Sequence, residues 1–184
     1  MSHISDQHIF TIDELVHGNP MQAARLAYAA GIIDGEGTIR INKTIPKKAG
    51  DSSDRISPAY DGQICCGMTD RRVLDFLSSM LGGRVREERV PGRLSVWRWA
   101  VTGRKNIMKV LDQIQPYLLV KQANAIVLRD LNENWKTPWS RQKGVDTEEL
   151  QRREELYQKM RELNAVGAAA TTKQKSSREV EAIV

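Results

Sequence analysis

The chain has 184 residues, 40% hydrophobic and 5% aromatic, which suits one domain with a core of aliphatic side chains. Residues 1–36 carry one base and five acids, residues 37–112 fifteen and eight, and residues 113–184 twelve and ten, so the positive surface that a polyanion requires lies mid-chain. Adjacent Cys65 and Cys66 exclude a disulfide framework and a zinc spacing, His3, His8 and His17 form no ligand pattern, and no apolar run approaches a membrane span, so a soluble protein in a reducing compartment is expected.

Asn19-Pro20 predicts a helix start, with Asn as N-cap and Pro at the first helical position. That helix runs to about Ile33, closed by Gly35 and Gly37, with Ala23, Ala27, Ala30 and Gly31 making one face small. Thr38–Ile45 alternates as a half-buried strand, Pro46–Pro58 reads as a loop, and Ala59–Met68 reads as a second strand. Thr69-Asp70 caps a helix that ends at Gly82-Gly83. A hairpin follows, Arg84–Val90 and Leu94–Val101 around Pro91-Gly92. After Gly103 come helices to about Gln115-Pro116 and over Leu118–Trp135, a loop over Lys136–Gly144, and a charged helix over Thr147–Asn164. Residues 1–18 read as an N-terminal extension and 165–184 as a flexible tail. The order predicts an α+β domain with an antiparallel sheet.

The stretch Ala29-Ala30-Gly31-Ile32-Ile33-Asp34-Gly35-Glu36-Gly37, followed by Thr38-Ile39-Arg40-Ile41, resembles the signature of the LAGLIDADG homing endonucleases. Farther on, Ile114-Gln115-Pro116-Tyr117-Leu118 and Lys121-Gln122-Ala123-Asn124 are similar to a segment of the single-motif algal chloroplast enzymes. The resemblance implies an αββαββα fold with a saddle-shaped sheet and extra C-terminal helices, the domain spanning 19–164. It implies a homodimer whose motif helices pack through Ala23, Ala27, Ala30 and Gly31. Glu36 would bind metal, with the Gly35 carbonyl as a further donor, and Mg²⁺ suits such hard oxygen ligands, with Mn²⁺ able to substitute. Lys121 would act beside Glu36 on the phosphate or the attacking water. Asp34 and Glu36, taken apart from the family, could also be ordinary polar residues that close a buried helix, the weaker of the two readings.

Alternation places Thr38, Arg40, Asn42 and Thr44 on one strand face, with Gln63, Arg84, Arg86 and Arg98 as further candidates for reading base edges of double-stranded DNA. The side that Arg98 faces is left open. Lys43, Lys47, Lys48, Arg55, Arg89 and Arg93 suit phosphates. One departure stands out: Cys66 occupies the family's water-ordering glutamine position and Asp70 a neighbouring basic one, so those roles are not carried over.

The expectation is a Mg²⁺-dependent, intron-encoded or free-standing endodeoxyribonuclease that makes double-strand breaks in a long pseudo-palindromic target, with no membrane partner. The alternatives are a weakened RNA maturase, with RNA as a second ligand, or a DNA-binding regulator; a basic RNA-associated structural protein is a third. An intracellular location is expected, without distinguishing an organelle from a bacterial or phage-infected cytoplasm.

Overall fold

A computed structural model of the chain describes residues 19–45, 57–89, 95–136 and 145–181, with backbone alone beyond residue 165. The N-terminal extension, the histidines, Lys47, Lys48, Arg55, Arg93 and the Pro91-Gly92 turn lie outside the described residues.

Helix α1 spans Pro20–Glu36, and the Asn19 side chain accepts from the Met21 N–H at 3.1 Å, satisfying one of the donors that a helix start leaves open. Leu26, Ala29, Ala30 and Ile33 form its buried stripe at i, i+3, i+4 and i+7. Strand β1, Gly37–Thr44, follows without a loop, and β2, Ala59–Met68, pairs with it antiparallel from Gly37↔Cys66 to Thr44↔Ala59. Helix α2, Arg71–Leu81, starts where Asp70 accepts from the Arg72 N–H at 2.9 Å. It ends at Gly82 and Gly83, both at positive φ, a region that costs glycine little. There the Gly82 carbonyl receives the Trp99 Nε1–H at 2.7 Å, and a Cβ on Gly83 would stand 2.7 Å from the same indole nitrogen.

Strands β3, Arg84–Glu88, and β4, Val96–Thr102, complete an antiparallel sheet of order β1-β2-β4-β3. Helix α3, Arg104–Ile114, a 3₁₀ turn at Gln115–Tyr117 and helix α4, Gln122–Glu133, then pack onto it. The sequence started this last helix at Leu118. The structure starts it four residues later, because the N–H groups of Leu119, Val120 and Lys121 are taken by a carboxylate from α1. Helix α5 covers Thr147–Glu181 and so continues past Asn164 through residues read as a flexible tail. The run Ala168-Ala169-Ala170 favours that continuation, alanine being the best helix former.

The helices share one core with one face of the sheet: Ile39, Ile41, Ile64, Trp99 and Val101 pack with Leu74, Leu77, Leu111, Leu128 and Met160. The architecture is the α+β order that alternation and caps predict, with strand β2 at its expected limits.

Candidate active site and nucleic-acid interface

The last turn of α1 carries the candidate chemistry. Gly37 makes the abrupt change from helix to strand possible, since a Cβ there would meet the Ile33 carbonyl oxygen at 2.7 Å. Gly35 and Glu36 are exposed, and the Gly35 carbonyl lies among the last four of the helix, which have no intrahelical partner. Asp34 behaves otherwise. Its Oδ2 accepts from the N–H groups of Leu119 at 2.7 Å and Val120 at 3.2 Å, and its Oδ1 from the N–H of Lys121 at 2.9 Å. The Lys121 ammonium donates to the Asp34 backbone carbonyl.

Burial pushes the Lys121 pKa down, while Asp34, Cys66 and Glu36 pull it up. Cys66, paired with Gly37 across the strands, has its thiol pushed up to about 11 by burial, Glu36 and Cys65 adding and Lys121 opposing. Glu36, Lys121 and Cys66 thus share one small electrostatic neighbourhood, and the thiol stays protonated at neutral pH. Asp70 caps α2 and pairs with Arg72 at 2.6 Å, while Arg71 pairs with Asp75 at 3.1 Å. Among the described residues, no three His, Cys, Asp or Glu side chains group to hold a metal ion. Among the described residues Glu36 is the one motif carboxylate without a hydrogen-bond partner, so a metal site of oxygen donors there needs a second copy or a phosphate to complete it.

The face of α1 that carries Ala27 and Gly31 is exposed, with Ala23 half-buried. Ala30 is a correction: it is fully enclosed beside Ala29 and Ile33 and offers nothing to a partner. Four residues of spacing from Ala23 to Ala27 follow the face; Ala30 lies three after Ala27, on the side that turns inward. Leu119 and Val120 are exposed apolar residues, 87% and 74% accessible, tied to Asp34 at the same end of α1.

Strand register places the polar candidates on the sheet face away from the core. Thr38 and Cys65, Arg40 and Gln63, and Asn42 and Asp61 are direct neighbours, with Thr44 at the strand end. Arg86 lies opposite Arg98, which resolves the side of Arg98: it shares the polar face while Trp97 and Trp99 turn to the helices. Arg40 Nε donates to Gln63 Oε1 at 2.8 Å, and Arg98 Nε to Glu88 Oε2 at 2.8 Å. Arg84 and Arg86 are exposed. Lys43 departs from expectation. It points to the helix side, where its ammonium bonds Glu154 at 2.6 Å and lies 5.7 Å from the ring centres of Tyr60 and Tyr157, so it is not presented to a phosphate.

Asp34 is the residue that sequence reasoning left without a role.

No family model matches the chain, and no curated protein matches it in sequence. Solved structures match its fold. The homing endonuclease I-CvuI, in complex with the I-CreI target in the presence of 2 mM Mg with DNA not cleaved, is 22% identical and covers 79% of this chain and 85% of that chain, with a TM-score of 0.64. The archaeal intron-encoded homing endonuclease I-Vdi141I, complexed with DNA, is 17% identical over 76% of this chain and 84% of that chain, with a TM-score of 0.61. The LAGLIDADG homing endonuclease I-GzeII, in complex with its DNA target, is 14% identical over 72% of this chain and 43% of that chain, with a TM-score of 0.53. The chain has the LAGLIDADG homing-endonuclease fold.

Proposed function

We propose that the chain is a site-specific endodeoxyribonuclease that cuts both strands of a long pseudo-palindromic DNA target as a homodimer, using Mg²⁺. The observation that carries this reading is Glu36, exposed at the end of the motif helix with Lys121 brought beside it from 85 residues away. Helices with small exposed residues allow close approach of two copies, and the Ala27 and Gly31 face, extended by Leu119 and Val120, is the surface for that contact. Two-fold pairing brings two Glu36 carboxylates together, and like charges at such a distance call for a cation between them.

Each Glu36, with the Gly35 carbonyl, would hold a divalent cation, Mg²⁺ or Mn²⁺, which supplies Lewis-acid assistance to phosphodiester hydrolysis. The remaining work falls to the chain itself. Lys121 meets the negative charge that builds on the phosphate, and the polar sheet face supplies Arg40, Asn42, Gln63, Arg86 and Arg98 to base edges in the major groove. Thr38, nearest Glu36, serves base pairs next to the cut, and Thr44 and Arg84 those farther out. The neighbours of the same fold were solved with DNA, two of them with Mg or Ca, which supports this assignment.

A second reading, a maturase or regulator that binds DNA or RNA without cutting, is favoured by Cys66. A buried, protonated thiol there has no amide with which to order a water.

Incubating a randomised DNA library with the protein, with and without Mg²⁺, and sequencing the cut ends tests both. One pseudo-palindromic site cut on both strands only with metal is expected, and Glu36→Gln should slow cutting on the order of 10³-fold or more while binding is retained. Selective binding without cutting in either Mg²⁺ or Mn²⁺ would establish the second reading instead.

A further inference from the structure

We infer that Asp34 is a positioning residue for Lys121: its carboxylate fixes the Leu119–Lys121 backbone while its own carbonyl receives the Lys121 ammonium, so that the amine is delivered to Glu36 from one direction. This rests on the endonuclease reading of the site.

The contact closes a ring. Lys121 is held at its backbone N–H by Asp34 Oδ1 at 2.9 Å and at its Nζ by the Asp34 carbonyl, so one residue grips both ends of the lysine. Oδ2 meanwhile takes the N–H groups of Leu119 and Val120. A simple cap would need the carboxylate bonds alone and would leave the long side chain free. A lysine stem carries about 2 kcal/mol of rotamer freedom, so it holds one direction only where an acceptor waits at its tip.

The electrostatics of the two helices point the same way. Lys121 occupies the N-cap position of α4, and its carbonyl receives the Ala125 N–H at 3.0 Å. A cation there opposes the helix dipole, and the Asp34 carboxylate offsets that cost at the same helix start. Folding the ammonium back onto the last turn of α1 moves it to a helix C-terminus, where a cation is favoured. The side chain therefore leaves an unfavourable helix end for a favourable one, and the latter carries Glu36.

Asp34→Asn keeps the size but offers one oxygen in place of two and sets an amide against a backbone N–H. Single-turnover cleavage of the selected site, together with DNA affinity, is measured for wild type, Asp34→Asn, Lys121→Met and the double variant. If Asp34 acts through Lys121, Asp34→Asn slows cutting roughly 10- to 100-fold with affinity within about 3-fold, and the double variant is within about 3-fold of Lys121→Met, the signature of coupled residues. Effects that multiply would overturn the inference and leave Asp34 a fold-supporting cap.

A second measurement needs no cutting. Trace labelling of amines with acetic anhydride, read peptide by peptide in a mass spectrometer, compares Lys121 with exposed Lys105. Lys121 should react several-fold more slowly in wild type and gain that factor in Asp34→Asn, or in Asp34→Ser if the amide variant does not fold, because a held amine is a shielded one. Equal reactivity of Lys121 in wild type and variant overturns the inference. If the wild-type protein cuts nothing, the endonuclease reading fails by itself, and the labelling still decides whether Asp34 holds Lys121.

Discussion

The two faces of the sheet are built from the same alternating strands, yet they treat polar groups in opposite ways. On the helix side, most polar side chains are held by partners: Lys43 by Glu154, Asn124 by Asn164 at 3.1 Å, and Asn164 in turn by the Ile39 carbonyl at 3.2 Å, Gln122 Oε1 being the exception among the described residues. On the other side, Arg40 holds Gln63 and Arg98 holds Glu88 while both stay half-exposed, and Arg84 and Arg86 stand exposed. Groups cut off from water must be paired within the fold, whereas solvated cations keep donors to give to a ligand. Substitutions should therefore cost stability on the helix side and binding on the other.

The largest effect that would test this division lies at Glu149 and Arg153. Both are nearly inaccessible, at 1% and 2%, and their ion pair of 2.6 Å sits with the Arg153 guanidinium 3.7 Å from the centre of the Trp135 ring. The Lys136 carbonyl takes a further bond from Arg153 at 2.6 Å. Glu149→Ala leaves a buried guanidinium without its counter-charge, a change that costs about 3–5 kcal/mol. Denaturant unfolding should show that loss; a change below about 1 kcal/mol would mean that the helix side tolerates an unpaired charge after all.

The polar face should respond in the other currency. Arg98→Ala or Arg40→Ala is expected to weaken binding of the selected DNA site by about 1–3 kcal/mol, the worth of one good base contact. Stability should stay within about 0.5 kcal/mol, as for surface positions generally. Affinity across single-base variants of the target separates the roles: loss confined to one base pair marks a base contact, and uniform loss a phosphate contact. Neither variant affecting binding would remove this face as the interface.

This division also explains what was legible beforehand. Period-two alternation located Thr38, Arg40 and Asn42 on one face, because the pleat alone decides it, whereas only the strand register sets Gln63 beside Arg40. The caps at Asn19 and Asp70 were equally local, depending on a side chain and an N–H two residues apart. Arg98 was ambiguous because its strand is apolar on both sides, and only pairing with Arg86 assigns it. Glu149 and Arg153 read as part of a charged helix, since the Trp135 ring that covers the Arg153 guanidinium lies outside the pattern of their own helix. The role of Asp34 was out of reach for the same reason: its partners are 85 to 87 residues away, and no periodicity connects them. Ala30 failed differently, as a small residue serves a close helix contact and a tight core equally well.

The smallest effect is the most diagnostic of the helix side. Lys43 alternates with Ile39 and Ile41, so a lysine occupies a position that the pattern assigns to the core, and Glu154 and Tyr60 make that possible. The Lys43 ammonium, then the Tyr60 hydroxyl and Gln158, hold the Glu154 carboxyl down to about 2. A carboxyl with a pKa below its unfolded value of about 4.3 stabilises the fold only while ionised, so its contribution is full above that pH and fades as pH falls towards about 2. Melting temperatures of wild type and Glu154→Gln should therefore differ by a small constant above about pH 5 and converge in acid. A gap that persists unchanged in acid would mean that Glu154 contributes through packing on Tyr60. Lys43 would then be tolerated for its aliphatic stem, and the rule that the helix side pairs its charges would be weaker at the sheet edge than around Arg153.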